Sequence, residues 1–536
     1  MPNNSPPIFP LSAIPVRGLS VAPSWKPLSA NRIRSDLTEN AAPDTETESS
    51  FSETSHHQHV TLMSFAPPRK KYSTMQFNTT AAPKSALASN VKFLYFFGAL
   101  GGILFGYDLG VISGVLLFIK KSWHLSSVTQ GVIGGCLAAG AVIGAAIAGR
   151  ITDRLGRRRT IMLAAAVFSV GALGCAVAPN VTVLVIARFI TGIAVGCSSA
   201  TVPTYLSELA PTRARGALST LNQLMIVSGI LIAYIVDWAL SGSGNWRMMF
   251  AVAAIPAVAL LAGMSVLPET PRWLVHAGRE EEARAVLAGT HRADEIESEI
   301  SSIRSVIRLD EQQKGRLRDL LAPWARPALV VALILAVGQQ FSGVNAVNVY
   351  APTMFKDLGF GNSTSLLASI VLGAIKVAFT AWVIFVVDRW GRKPLLLLGN
   401  VCMASSLFLL GAIVLGVHNH TITGLTTLIL LNVYLAGYEL GWGAVVWVMM
   451  AEIFPLRVRG VGMGVGSVVL WSSTFAITFL FPVMNDHLGL GYSAWIFAAV
   501  SVVMFILVQR FVPETNGRSL EQIELELRAR VSGKSA

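Results

Sequence analysis

The stretch Asp-Arg-Leu-Gly-Arg-Arg-Arg at residues 153–159 returns as Asp-Arg-Trp-Gly-Arg-Lys at 388–393. Outward from it, two more motifs repeat in the same order. Glu-Leu-Ala-Pro-Thr-Arg-Ala-Arg-Gly at 208–216 returns as Glu-Ile-Phe-Pro-Leu-Arg-Val-Arg-Gly at 452–460, and Pro-Glu-Thr-Pro-Arg at 268–272 returns as Pro-Glu-Thr-Asn-Gly-Arg at 513–518. The offsets are 235, 244 and 245 residues, and every copy lies in a short gap between long apolar segments. A membrane half duplicated in this way predicts a transporter whose substrate site lies between the halves.

Composition agrees. The 536 residues are 53% hydrophobic and 13% charged, with mean hydropathy +0.58, whereas a soluble domain carries roughly 25% charged residues. A net charge of +12 would suggest nucleic acid as the partner of a soluble protein. Here the basic residues gather in loops between apolar segments, so the partner is the lipid bilayer and no nucleic acid is expected. Cys136, Cys175, Cys197 and Cys402 lie inside apolar segments without metal-ligand spacing and read as packing residues. No cofactor or metal is expected.

Residues 1–90 are rich in Pro, Ser, Thr and Asn without periodicity and read as a disordered tail, with Met63 and Met75 as alternative starts. His56, His57 and His59 in this tail read as incidental. Twelve spans follow, at 93–119, 127–150, 160–178, 181–203, 216–238 and 247–267, then 327–350, 364–387, 394–416, 422–449, 460–482 and 492–512. Each is long enough to cross ~30 Å of hydrocarbon as a helix. The fold class is therefore an all-α membrane protein with two pseudo-symmetric six-helix halves, 91–268 and 326–512. A linker at 269–325, patterned for short amphipathic surface helices, joins them, and a tail follows from 513 to 536. Lys and Arg cluster after spans 2, 4, 8 and 10, which predicts that those loops and both termini are cytoplasmic in a plasma (inner) membrane.

Ionisable residues inside spans are functional hypotheses by default, since each costs roughly 2.5–3.5 kcal/mol at mid-helix. Asp108 lies 16 residues past Lys92, about 24 Å along span 1, and Arg188 lies seven residues into span 4, roughly 10 Å from its start. Their depths are compatible with a pair that cycles between ionised and protonated states, which is the chemistry of proton coupling. Lys376 sits 12 residues before Asp388 and Glu439 sits 13 before Glu452, depths of about 18 and 20 Å. Similar depth and opposite sign predict a second buried ion pair, with Lys376 still reaching the cavity. At the loop ends, Asp153, Arg154, Arg157 and Arg158 with Glu208, Arg213 and Arg215 in the first half, and Asp388, Arg389, Arg392, Glu452, Arg457 and Arg459 in the second, predict charge networks that hold the halves together on that face. The glycines at 460, 462, 464 and 466 read as helix-packing positions rather than a nucleotide loop, because no strand precedes them.

The full motif set resembles the sugar porter branch of the major facilitator superfamily over residues 92 to 525. It comprises the repeated loops together with Gly-Gly-Ile-Leu-Phe-Gly-Tyr-Asp at 101–108, Val-Pro-Thr-Tyr-Leu-Ser-Glu-Leu-Ala-Pro at 202–211, Gln-Gln-Phe-Ser-Gly-Val-Asn-Ala at 339–346 and Ala-Glu-Ile-Phe-Pro at 451–455. Within that branch the chain is similar to bacterial proton-coupled pentose and hexose symporters. The resemblance implies alternating access, with Asp108 as proton carrier beside Arg188. It places Gln223, Gln339, Gln340 and Asn345 as sugar-binding amides, Phe105, Trp447 and Trp471 as rings lining the cavity, and Gly443 as a close-approach position. Amides beside rings suit a sugar, which presents both hydroxyls and apolar C–H faces. The resemblance also shows departures. Lys376 stands where an Asn is usual, Glu439 where a small apolar residue is usual, Ala444 replaces a Pro, Asn348 and Val349 replace an apolar–aromatic pair, and Leu470 stands where Gln is frequent.

The sequence thus predicts a monomeric, proton-coupled importer of a monosaccharide. An inositol or other polyol symporter and a facilitative sugar uniporter are the alternatives. A transporter-like sensor would carry a long signalling tail, an efflux antiporter of the superfamily is disfavoured by the amide cluster, and an enzyme by the lack of a nucleophile–base pair in the spans.

Overall fold

A computed structural model describes residues 91–209, 215–289, 292–312, 315–443, 445–518 and 522–523. The tail expected over 1–90, Arg213, the side chain of Arg215, Ala444 and the chain beyond 523 lie outside the described residues.

Long apolar sequences form long helices because helical hydrogen bonding satisfies every backbone polar group internally. Spans 1 to 5 are Val91–Ser122, Ser127–Leu155, Arg157–Ala176, Val181–Leu209 and Arg215–Ala239. Span 6 is built from Trp246–Val252 and Ala254–Val266. Span 7 is likewise in two pieces, Arg326–Phe341 and Val344–Asp357. Spans 8 and 9 are Asn362–Trp390 and Arg392–Gly416. Span 10 runs from His420–Tyr438 through a π-helical turn at Glu439–Gly443 into Val445–Ile453. Spans 11 and 12 form one 53-residue stretch, Arg459–Phe511.

That last stretch would measure about 80 Å if straight, far more than a bilayer. It breaks at Gly489, whose φ is 78°, and the Phe481 and Phe497 rings on either side stack at 6.2 Å between centroids. It therefore supplies two crossings, and the described residues make twelve. The non-helical gap expected between 483 and 491 is reduced to this one glycine. The linker forms the expected short helices, Pro271–His276, Glu280–Leu287 and Ile296–Gln312. They pack on a small core of Trp273, Leu274, Val275 and Ala283, and Arg284 bridges Glu281 at 2.8 Å and Glu297 at 3.2 Å.

Small residues let two helices pack backbone to backbone. In span 2, a Cβ on Gly140 or Gly144 would lie 2.1 Å from the carbonyl oxygen of Phe189 or Ile193 in span 4; Gly192 and Gly196 reciprocate against Leu137 and Ala141 at the same distance. Backbones this close gain dispersion along their whole length. Of the glycines that open span 11, Gly462 and Gly466 pack against Phe454 and Met450, whereas a Cβ on Gly460 or Gly464 would meet nothing within 4 Å.

The Pro-Glu-Thr repeat has one structural role performed twice. Gly156 and Gly391 turn the chain with φ of 91° and 85°, which points the first backbone N–H groups of spans 3 and 9 at a carboxylate. Glu269 accepts from Arg157 N at 3.0 Å and Arg158 N at 3.1 Å. Glu514 accepts from Arg392 N at 3.0 Å and Lys393 N at 2.9 Å. A carboxylate at a helix N-terminus is favourable for both its hydrogen bonds and the helix dipole.

The halves touch at one end and part at the other. Far from the basic loops, the Tyr350 hydroxyl lies 3.2 Å from the Gln130 carbonyl of the first half and 3.0 Å from the Thr478 carbonyl of the second. There Ser127 donates to Asp486 at 2.5 Å, and Gly131 abuts the Phe479 backbone. At the basic end of the same two spans, a Cβ on Gly149 or Gly464 would meet nothing within 4 Å.

These contacts make two predictions. Gly144→Val should destabilise the detergent-solubilised protein by about 1–3 kcal/mol or more through overpacking, whereas Gly149→Val should leave its melting temperature nearly unchanged; equal effects would mean that the span 2–span 4 contact is not close-packed. The second concerns pH. Burial pushes the Glu269 carboxyl up, and its backbone N–H bonds only partly offset this. Glu514 meets burial too, but its four backbone donors outweigh it and hold the carboxyl below its usual value. A lowered folded pKa gives stability that is present above the unfolded value, about 4.3, and lost as pH falls through the folded one. Glu514→Gln should therefore cost ~0.5–2 kcal/mol at pH 7 and converge on wild type below about pH 4. Glu269→Gln should cost less at pH 7, since ionising Glu269 works against the fold. Melting curves across pH for the two variants measure this.

Candidate functional site

Between the halves, Gly343 takes a left-handed conformation (φ 95°, ψ 6°) and breaks span 7. The break gathers Gln339 and Gln340 at the end of one helical piece with Asn345 and Asn348 at the start of the next. Their side chains form one hydrogen-bonded line. Lys376 Nζ donates to Asn348 Oδ1 at 3.0 Å, Asn348 to Asn345 at 3.3 Å, Asn345 to Gln340 at 2.5 Å and Gln340 to Gln339 at 3.1 Å; Gln339 ends the line by donating to the Trp442 carbonyl at 2.7 Å. All the donors run the same way, from an ammonium to a backbone carbonyl, so each bond polarises the next. An amide NH2 has two donors and its oxygen two lone pairs. Asn348, Asn345 and Gln340 thus each keep a donor and an acceptor for a ligand, whereas Gln339 spends its second donor on the Gly443 carbonyl at 3.5 Å and keeps only an acceptor.

At its charged end the line meets Glu439. Lys376 Nζ lies 3.3 Å from Glu439 Oε1, and the two side chains are 3% and 0% exposed. Glu439 Oε2 accepts from Thr380 Oγ1 at 3.1 Å and from Gln223 Nε2 of the first half at 3.5 Å. Removing one member of a buried pair leaves an uncompensated charge, at about 3–5 kcal/mol. The carboxylate fits because position 443 has no side chain: a Cβ on Gly443 would lie 2.2 Å from Glu439 Oε2.

These groups enclose a cavity of about 60 Å³ with Phe105, Tyr438, Trp447, Leu470, Trp471 and Thr474. A water needs roughly 10–15 Å³ of such space, so the cavity has room for a few waters beside its polar line. Phe105 and Trp471 pack edge to face at 5.0 Å, and the buried indole N–H of Trp471 has no hydrogen-bond partner among the described residues. Eight of the nine positions expected from sequence to contact substrate line this cavity, and the ninth, Gly443, serves as the seat of Glu439. Thr380 supports Glu439 without any motif to announce it.

Asp108 and Arg188 lie behind the cavity in the first half. Arg188 Nη2 is 3.5 Å from Asp108 Oδ2, and the side chains are 0% and 1% exposed. Arg188 Nε donates to the Ile133 carbonyl at 3.0 Å, and its guanidinium lies 5.8 Å from the Phe250 ring centroid. Neither Asp108 Oδ2 nor the two terminal nitrogens of Arg188 has a closer hydrogen-bond partner among the described residues. The pair is formed but loose. Asp237 in span 5 is a further buried acid. Its Oδ2 accepts from Gly114 N at 3.0 Å, and its Oδ1 has no hydrogen-bond partner among the described residues. Its only signal in the sequence is an acid inside a predicted span, with no base at matching depth.

On the basic face the charged residues pair within each half, and not between the halves as the sequence predicts. Arg157 binds Glu208 twice, at 3.0 and 3.1 Å, and Arg158 donates to the Met264 and Ser265 carbonyls. The Asp153 carbonyl accepts from Trp273 at 3.1 Å. In the second half, Arg392 reaches Asp388 at 3.0 Å and Glu452 at 3.6 Å. Arg457 stacks over Trp324 of the linker region at 5.8 Å, and Arg459 lies 3.5 Å from the Phe454 carbonyl. Arg154 and Arg389 are exposed. Each ion pair described on this face joins residues of one half, as suits the end at which the halves part.

Comparison with known proteins agrees with this architecture. Residues 94–527 match the family model described as "Sugar (and other) transporter". The glucose transporter GlcP of Staphylococcus epidermidis is 42% identical over 449 residues, covering 84% of this chain and all of that one. The major myo-inositol transporter IolT of Bacillus subtilis is 38% identical over 437 residues, covering 80% and 92%. Among solved structures, the proton:xylose symporter XylE bound to 6-bromo-6-deoxy-D-glucose superposes with a TM-score of 0.71 at 31% identity, covering 81% of this chain and 98% of that one. The chain belongs to the sugar transporter family of the major facilitator superfamily.

Proposed function

We propose that this protein imports a monosaccharide or polyol together with a proton, by alternating access of its two halves. The observation that carries the reading is the unidirectional amide line beside aromatic rings: Gln340, Asn345 and Asn348 with a spare donor and acceptor each, Gln339 with a spare acceptor, and Trp471, whose indole N–H has no hydrogen-bond partner among the described residues, all lining one cavity between the halves. Multiple paired donors and acceptors beside a ring match a polyhydroxylated solute better than any single charged or apolar one. Relatives named for glucose, myo-inositol and proton:xylose transport support the class.

Asp108 and Arg188 carry the proton step in this reading. When Asp108 is ionised, Arg188 attracts it across 3.5 Å. A proton on the carboxyl removes that attraction and leaves span 1 free to move against span 4. Span 1 also carries Phe105, which faces the cavity, so the same helix senses proton and solute. Loading from the face opposite the basic loops protonates Asp108 and fills the cavity. The halves then rock, and both ligands leave on the basic side. With the basic loops cytoplasmic in the plasma membrane, this is import. The present arrangement, with halves joined at the far end and the Asp108–Arg188 pair formed, corresponds to an inward-facing state. The proton is the coupling ion and no other cofactor takes part; a monomer suffices, because both halves come from one chain.

Two measurements test this. In proteoliposomes, Asp108→Asn should abolish uptake against a gradient while preserving equilibrium exchange; full uphill uptake by that variant would remove Asp108 from coupling. In the wild type, a panel of unlabelled pentoses, hexoses and inositol should compete with a transported labelled sugar, and an acid-outside pH gradient should raise accumulation. Failure of every neutral sugar and polyol to compete would refute the substrate class.

A further inference from the structure

Lys376 and Glu439 are the two charged side chains among the residues that line the cavity. They sit 3.3 Å apart and almost fully buried. Of the three donors on the Lys376 ammonium, one is used by Asn348 and one faces Glu439. The third is available to the cavity. Glu439 is held from the other side by Thr380 and Gln223. The site therefore contains a potent cationic donor whose charge is cancelled by a neighbour in the same wall.

This cancellation bears on which solutes enter. An anionic sugar would gain the Lys376 ammonium only by drawing it from Glu439, leaving the carboxylate buried and unpaired beside a second negative charge. A cationic amino sugar would do the reverse, pairing with Glu439 and stranding Lys376. Either loss offsets the new ion pair, because burial makes an unpaired charge expensive. An uncharged solute breaks nothing. It takes the third ammonium donor and the spare amide groups while the pair stays closed.

We propose that Glu439 is a built-in counter-ion that restricts the site to uncharged sugars and polyols, and that without it Lys376 makes the site accept sugar acids. The inference rests on the transport reading above and names the charge class of its substrate. Glu439→Gln keeps the size and the hydrogen bonds to Thr380 and Gln223 but leaves the cavity with one net positive charge. Lys376→Gln leaves one net negative charge, and the double variant Lys376→Gln with Glu439→Gln restores neutrality.

The test is ligand binding to purified protein by quenching of tryptophan fluorescence, since Trp447 and Trp471 line the cavity, with matched uptake in proteoliposomes. The probes are myo-inositol, D-glucose and D-xylose as neutral solutes, D-glucuronate as the anion, and D-glucosamine as the cation below pH 7. The wild type and the double variant should prefer neutral probes. Glu439→Gln should shift the ratio of glucuronate to glucose affinity upward by at least about tenfold, roughly 1.4 kcal/mol, and Lys376→Gln should shift it the opposite way in favour of glucosamine. An unchanged ratio in both single variants, or a wild type that already prefers glucuronate, overturns the inference and leaves sugar transport standing. A wild type that binds none of the neutral probes overturns the transport reading itself. If Glu439→Gln does not fold, recovery of folded, neutral-selective protein in the double variant supports the requirement for charge balance, and failure of the double variant as well contradicts it.

Discussion

Two ion pairs lie buried within the described spans, and the cost of leaving any one of their four members unpaired in a dry interior shapes what surrounds them. Around Asp108 and Arg188 the protein supplies little else: one backbone carbonyl, one aromatic face, and a separation of 3.5 Å. Around Lys376 and Glu439 it supplies an amide on one side and two donors on the other. The first arrangement is loosely satisfied, as suits the proposed opening of the pair on protonation. The second is densely satisfied, as suits a pair that stays closed while a solute comes and goes. Both lie at the seam between the halves or one helix behind it, so charge neutrality and conformational change are linked by position.

The fold was readable because its rules are coarse. Apolar length, loop charge and a duplicated motif order are sufficient for twelve crossings in two halves. The site was readable in membership but not in connectivity. Sequence spacing places Lys376 and Glu439 at similar depth, yet the line from the ammonium through Asn348, Asn345, Gln340 and Gln339 to the Trp442 carbonyl depends on side-chain directions on both sides of Gly343. Thr380 was invisible because a threonine in a membrane helix ordinarily bonds its own backbone. Asp237 showed in the sequence only as an acid inside a span, because its partner is a backbone N–H, which leaves no mark there. The junction of spans 11 and 12 was drawn as a loop because its polar residues, Asn485, Asp486 and His487, look like one; the helix runs through them and turns on Gly489 alone.

The internal repeat is kept where the chain must turn and abandoned where it must recognise. Gly156 with Glu269 and Gly391 with Glu514 are the same device in both halves, down to the two backbone N–H groups that each carboxylate accepts. Yet their electrostatics have drifted apart, since Thr270 and Thr515 each donate to their own carboxylate but the second carboxylate gains one more donor from Asn516. Inside the membrane the first half holds the proton pair and one amide, Gln223, while the second half holds the rest of the polar line. Gln223 reaches across to Glu439, and Tyr234 reaches across to the Asn348 carbonyl at 2.8 Å. The division of labour between halves is therefore bridged at mid-depth by the first half's span 5.

The seat of Glu439 ties two positions of span 10 into one heritable unit. Because the carboxylate fills the volume that any side chain at 443 would need, a relative that carries Glu at 439 must carry Gly at 443, while a relative with a small residue at 439 is released from that demand. The π-turn that spans the two positions is the backbone's record of the same bargain: it widens the helix where the acid folds back upon it. Change in this region must therefore come in steps that respect an order, with the acid lost before the glycine is filled. Lys376, left without its counter-charge at the first step, must in turn be the next residue to change or to find a new ligand.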